Sequence, residues 1–248
     1  MITKISMKNF MSIKNRQEFS FYSEDLNGYL KKNVCYPNND KENGVLKSLI
    51  LFGANNSGKS NILSAFLALR YLISSSNSLE EDKCIPCYKP FLLSDDTKFS
   101  SVNLEIEFFI DNILYAYKIS FLSKNIKNES LSLYLSNKEE CEVSIFNRKE
   151  VNGVETIEFG DSYKFLENRY SFNKNRTCFS VIYNNSDCPV IFSNIFNFFD
   201  KLILFNPGDK LSYNDEVINI KAIELFQLFG FKMILPLYCK TIVILVAI

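Results

Sequence analysis

Histidine is absent from the 248 residues. Imidazole is the usual neutral-pH base, a common metal ligand and a pH switch. Its absence excludes Ser-His-Asp and Cys-His nucleophile systems and every zinc site that needs a histidine. Net charge is absent too, because 28 Lys+Arg offset 28 Asp+Glu. A zero balance argues against a broad polyphosphate-binding surface and leaves room for a local basic patch. A membrane span is missing as well. The very apolar stretch 231–248 is broken by Lys232, Pro236 and Lys240. Its longest uncharged piece, 241–248, falls short of the roughly 20 apolar residues a span needs. Met1-Ile2-Thr3-Lys4-Ile5 lacks the long apolar region of a signal peptide.

What is present is an ordinary globular composition, 47% hydrophobic and 23% charged, too apolar for a disordered chain. The length fits one large domain or two small ones, enough to bury a sizeable core. The seven cysteines (Cys35, Cys84, Cys87, Cys141, Cys178, Cys188 and Cys239) are odd in number and irregularly spaced. One CxxC pair, Cys84-Ile85-Pro86-Cys87, makes a poor zinc site without a second pair, and no βαβ unit surrounds it. Free thiols in a reducing cytoplasm are the expectation.

Ile2, Ile5, Met7, Phe10 and Ile13 read as an imperfect strand, with Phe19 and Phe21 pairing back as a hairpin. Residues 23–44 read as a loop, and Val45 to Phe52 as a buried strand ending at Gly53. From Lys59 to about Ser74, apolar residues recur at helical spacing without Gly or Pro. Residues 101–159 alternate as an antiparallel meander with one wet face, with Asp111-Asn112, Lys124-Asn125 and Asn152-Gly153 at its turns. Four segments are therefore expected: a core over 1–100, the meander over 101–160, a mainly helical lobe over 161–230 and an apolar tail over 231–248. The tail reads as a buried strand or as an abnormal chain end.

One motif carries chemistry. Gly53-Ala54-Asn55-Asn56-Ser57-Gly58-Lys59-Ser60 fits G-x-x-x-x-G-K-[ST], the P-loop, between a predicted strand and a predicted helix. Glycines let backbone N–H groups approach a phosphate chain closely. The helix start adds unpaired N–H groups and the positive end of its dipole. Lys59 can neutralise the β and γ phosphates, and the Ser60 hydroxyl can ligate Mg²⁺. With only 8 glycines in the chain, a chance match is rarer than usual.

With Ile5 to Ile13, Leu51 to Asn61 and Pro90-Phe91 before Glu105-Ile106-Glu107-Phe108, the chain resembles AAA-type ATP-binding proteins with ABC-like heads. These are related to SMC, RecF and OLD-type ATPases and include abortive-infection ATPases of phage defence. The resemblance covers roughly residues 1–230 and implies an α/β P-loop NTPase head. That head would have a mixed sheet around the P-loop, an antiparallel β lobe and a helical lobe. It implies ATP and Mg²⁺ as cofactors, dimerising heads and ATP hydrolysis. By position, Gly53, Asn55, Asn56, Ser57, Gly58, Lys59 and Ser60 inherit the phosphate and Mg²⁺ roles, with Lys59 catalytic and Ser60 the metal ligand. Asn61, counted with the cofactor-binding set, braces the helix start.

Two departures shape the expected function. Met11 stands where the family usually has a basic residue, and no Walker B strand ending in Asp-Glu is found. Phe108-Phe109-Ile110-Asp111 and Phe198-Phe199-Asp200 lack the following Glu. The expectation is the N-terminal part of a longer ATPase, binding ATP with weak or absent hydrolysis on its own. Its expected partner is an identical head or a longer ATPase, with no membrane and nucleic acid only indirectly. A non-catalytic, nucleotide-dependent dimerisation module is the alternative. A GTPase or small-molecule kinase fits less well, because Asn137-Lys138-Glu139-Glu140 and Asn173-Lys174-Asn175-Arg176 both miss the guanine-reading Asp.

Overall fold

A computed structural model describes residues 1–24, 33–39, 43–51, 57–135, 142–151, 153–201 and the backbone of 243–246. Alternating apolar positions build one seven-stranded sheet. The strands are β1 (Ile2–Lys8), β2 (Gln17–Ser20), β6 (Val102–Ile110), β7 (Ile113–Phe121), β8 (Ile126–Tyr134), β9 (Glu142–Val151) and β10 (Val154–Phe159). Their order is β10-β9-β8-β7-β6-β1-β2, and every neighbour is antiparallel. The register aligns Ile5, Ile106, Tyr117, Leu131 and Phe146 in one row across five strands. All five are buried. The turn at Asp111-Asn112 has positive φ at both residues, the backbone that a tight right-twisted hairpin needs.

Three helices cover this row: α1 (Lys59–Ser74), α2 (Cys178–Tyr183) and α3 (Val190–Asp200). An aromatic layer joins sheet to helices. Phe108 stacks on Phe198 at 5.0 Å and meets Phe199 edge-on at 5.2 Å, while Phe146 stacks on Phe192 at 6.2 Å. From α1, Leu63, Phe66, Leu69, Leu72 and Ile73 enter the same core. The opposite face of the sheet carries charge, including Lys4–Glu107 at 2.7 Å and Arg16–Glu105 at 2.8 Å.

A buried ionic cluster locks the meander to the helices. Glu129 and Arg148 face each other across β8 and β9, and both are fully buried. The Glu129 carboxylate accepts from the Cys178 and Phe179 amides at 2.7 and 3.1 Å and from the Tyr117 hydroxyl at 3.0 Å. It therefore caps the first turn of α2 together with Thr177, whose side chain accepts from the Ser180 amide. Arg148 donates to the Arg176 and Asn173 carbonyls at 2.6 and 3.1 Å and pairs with Glu155. Burial pushes the Glu129 carboxyl upward, against the pull of Arg148, the two amides and Tyr117. Thr177 also donates to the Leu72 carbonyl at 2.8 Å, tying α2 to the last turns of α1.

The structure departs from the sequence reading in two places. The expected single strand over Val45 to Phe52 is two short ones, β4 (Val45–Leu46) and β5 (Ser48–Leu51). The Asn33 amide causes the break: it accepts from the Ser48 amide at 3.0 Å and donates to the Ser48 carbonyl at 2.8 Å. Next to it, β3 (Val34–Cys35) pairs with β4 inside the expected loop.

Second, a mixed sheet around residues 48–51 was expected, yet among the described residues every strand pairing is antiparallel. A parallel neighbour needs a crossover return. Here the chain after α1 runs into β6, which pairs antiparallel with β1. The described partner of β5 is β11 (Val243–Val246), from the apolar tail.

The segment expected to be mainly helical, 161–230, holds a 3-10 helix over Asp161–Leu166, the short α2 and α3 among the described residues. Residues 173 and 176 between them spend their carbonyls on Arg148. Residues 202–230 lie outside the described residues. Among the described residues no helix is long and apolar enough to cross a membrane.

Candidate functional site

The motif meets the fold at the start of α1. Gly53, Asn55 and Asn56 lie outside the described residues, while Ser57 to Asn61 are described. Gly58 sits at φ 91°, ψ 2°, immediately before the helix. That left-handed backbone is the reason for glycine here, since a Cβ would be only in ordinary contact, 3.9 Å from the Ser12 hydroxyl. No side chain caps α1, and its first turn carries no acid. The first turn therefore sets no acid of its own against the positive end of the helix dipole.

Lys59 is 8% exposed although it opens a helix. Its amine donates to the Ser57 hydroxyl at 3.3 Å, so the side chain turns back toward Ser57. Ser60 is exposed beside it. Asn61 turns the other way. Its side-chain amide donates to the Ser12 hydroxyl, and its backbone N–H donates to the Gly58 carbonyl at 2.9 Å. It ties the helix start to the N-terminal hairpin.

That hairpin forms the other wall. Paired backbone bonds between Phe10 and Ile13, 2.9 and 2.8 Å, close a tight turn with Ser12 inside it. Asn9 and Met11 both adopt positive φ to make it. Met11 is partly buried against the core, and its N–H donates to the Lys89 carbonyl at 2.7 Å. Between hairpin and helix lies a pocket of about 590 Å³, within the usual range for small-molecule sites. Ser57, Gly58 and Lys59 line one end; Met7, Ile13, Phe19 and Leu51 supply apolar surface. Lys14 and Glu18 also line it, and the Arg16 guanidinium, 3.5 Å away, offsets Glu18.

The two carboxylates considered as Mg²⁺ supports are elsewhere. Asp111 occupies the β6–β7 turn, at the opposite end of β6 from Asn103, which pairs with Lys8 near the hairpin tip. Eight residues of strand separate those ends by roughly 25 Å. Asp200 pairs with Arg70 at 3.3 Å, and Arg70 is ten residues along α1 from Ser60, about 15 Å. Among the described residues no cluster of three His, Cys, Asp or Glu side chains could hold a metal. Cys84 and Cys87 are free thiols, and burial pushes the Cys87 thiol up to about 12, away from a reactive thiolate.

Sequence reasoning missed the pocket walls. Lys14 and Glu18 carry no motif, and the fold-back of β2 on β1 brings them to the pocket.

A left-handed glycine before a helix start and a buried lysine beside a ligand-sized pocket are features that phosphate-binding sites use. The family described as "AAA domain, putative AbiEii toxin, Type IV TA system" matches residues 48–177, just over half of the chain. The chain belongs to that AAA-domain family, and its function is of the nucleotide-binding ATPase type. No curated protein sequence matches the chain.

Proposed function

We propose that the chain binds ATP with Mg²⁺ through residues 53–60, with the base and ribose in the hairpin pocket. The observation that carries this reading is Lys59, buried at the pocket end where Gly58 opens α1. Backbone N–H groups of the loop and helix start would cradle the phosphates. Lys59 would neutralise the β and γ groups, and Ser60 would ligate Mg²⁺, which supplies charge neutralisation when bound. Gly53, Asn55, Asn56, Ser57 and Gly58 take the cradle role by their place in the motif.

Within the ATP-binding families, an ABC-like head is the form we favour, because the N-terminal hairpin forms a pocket wall. Turnover by the chain alone is slow in this reading. Asp111 and Asp200 are both remote from Ser60, so neither can orient water there. A second head or a longer ATPase would complete the site.

Equilibrium dialysis with labelled ATP, competed by unlabelled ATP or GTP, tests the ligand. ATP should displace the label at lower concentration than GTP, and Lys59→Ala should abolish retention. A parallel phosphate-release assay should show little turnover. Rapid release, lost in Lys59→Ala, would overturn the slow-turnover reading.

A further inference from the structure

Helix α1 inverts the usual surface pattern. Between Asn61 and Ser74 one residue is exposed, and it is Leu67, 50% open to solvent. A helix normally presents polar side chains where it meets water. Leu67 lines an apolar groove of about 200 Å³, with Ala68 and Tyr71 from the same helix and Phe10, Pro86 and Lys89 from outside it. None of the residues lining this groove lines the pocket of Lys59.

Three more apolar side chains stand in solvent on the segment after Lys89: Leu92 at 63%, Leu93 at 88% and Phe99 at 87%. The backbone that carries them is held. The Asn9 side-chain amide reaches the carbonyls of Thr97, Ser100 and Ser101 at 3.0, 3.1 and 3.2 Å, and its oxygen accepts from the Phe91 N–H at 2.9 Å. The Thr97 hydroxyl lies 2.7 and 2.8 Å from the Phe91 and Ser94 carbonyls. Asn9 adjoins Phe10 of the groove, and the Tyr88 hydroxyl donates to the Ser100 carbonyl at 3.0 Å, so groove and segment form one surface. Apolar area left in water contributes nothing to the isolated fold, and a contiguous patch of it on ordered backbone marks an interaction site. Charges of both signs stand beside the patch: Lys98 pairs with Asp95 at 2.7 Å, and Lys14 with Asp96 at 3.3 Å.

We propose that this surface docks a second copy of the chain about a twofold axis, with no nucleotide required. Two observations single out a second copy. The surface carries protruding apolar side chains and an apolar groove together, so a twofold axis can seat each protomer's Leu92, Leu93 and Phe99 against its partner's groove. Its charges are also self-complementary: Lys98 of one protomer can face Asp95 of the other, and no excess of one sign calls for a partner of opposite charge. The pocket of Lys59 shares no lining residue with the groove, so the contact stands independently of the ATP reading. Four exposed side chains and a 200 Å³ groove are small beside the roughly 800 Å² per partner of a standard interface, so the dimer is weak, about 10–100 µM.

Sedimentation equilibrium of the full chain without nucleotide tests this, with thermal midpoints as the check on folding. Wild type should pass from monomer to dimer as concentration rises through that range. Leu93→Asp spoils a protruding side chain, and Leu67→Asp spoils the groove. Each should weaken dimerisation about tenfold or more, with a midpoint near wild type. Mixed in equal amounts, the two variants should associate more tightly than either alone, because one of the two reciprocal contacts is then intact. Wild type that stays monomeric far above that range overturns the proposal and leaves the ATP reading standing. So does a dimer that both variants retain, or one that forms only with Mg-ATP, which would place the contact elsewhere. A mixture no tighter than its components overturns the reciprocal arrangement.

Discussion

Arg148 and Lys59 are both buried cations, and they are buried for different reasons. Arg148 ends among partners from three segments: Glu129 and Glu155 on neighbouring strands, and the carbonyls of Asn173 and Arg176. Its charge is answered inside the fold. Lys59 instead forms part of the wall of a 590 Å³ pocket at an uncapped helix start. Burial of a cation by itself therefore marks nothing. What distinguishes Lys59 is that it also lines a cavity beside a helix start.

That contrast can be broken by substitution, and the largest effect belongs to Arg148. Arg148→Ala should cost about 3–5 kcal/mol of stability, because Glu129 and Glu155 are left beside no cation. Urea unfolding measures it, and Mg-ATP affinity of the fraction still folded should be unchanged. Lys59→Ala should do the reverse. Mg-ATP binding should fall by at least about a hundredfold, roughly 2.7 kcal/mol, with the urea midpoint close to wild type. A large stability loss in Lys59→Ala would place it with Arg148.

Gly58→Ala sharpens the comparison at the junction. At φ 91° an alanine is strained, so about 1–2 kcal/mol of stability should be lost in thermal unfolding. The smallest effect is expected for Asn61→Ala, which frees the helix start from Ser12. It should cost about 1 kcal/mol and weaken Mg-ATP binding only a few-fold, read by the same two measurements.

These two regions also differ in how legible they were. The motif at 53–60 and the helical spacing after Lys59 are local signals, and local patterns can be read from a chain. α1 accordingly spans the range its periodicity predicts, and the alternation over 102–159 becomes five consecutive strands. Glu129 and Arg148 are different. Each stands in a strand with other charges, Lys127 on β8 and Lys149 and Glu150 on β9, and only the β8–β9 register sets them opposite each other.

The same limit hid the Asn33 amide that splits the strand before the P-loop, since its partner Ser48 is fifteen residues away. It also hid the pocket. Lys14 and Glu18 become lining residues only when β2 folds back on β1. Candidate residues that belong to one stretch of chain can be read from the sequence; pocket-lining residues recruited by long-range pairing cannot.

The central claim is that the pocket between the hairpin and α1 is a nucleotide site built around Lys59. Titration calorimetry of Mg-ATP into the folded chain tests it most directly. The account predicts saturable binding of one ATP per chain, absent in Lys59→Ala with its folding intact. A flat titration with well-folded wild type, or identical binding by Lys59→Ala, would contradict it.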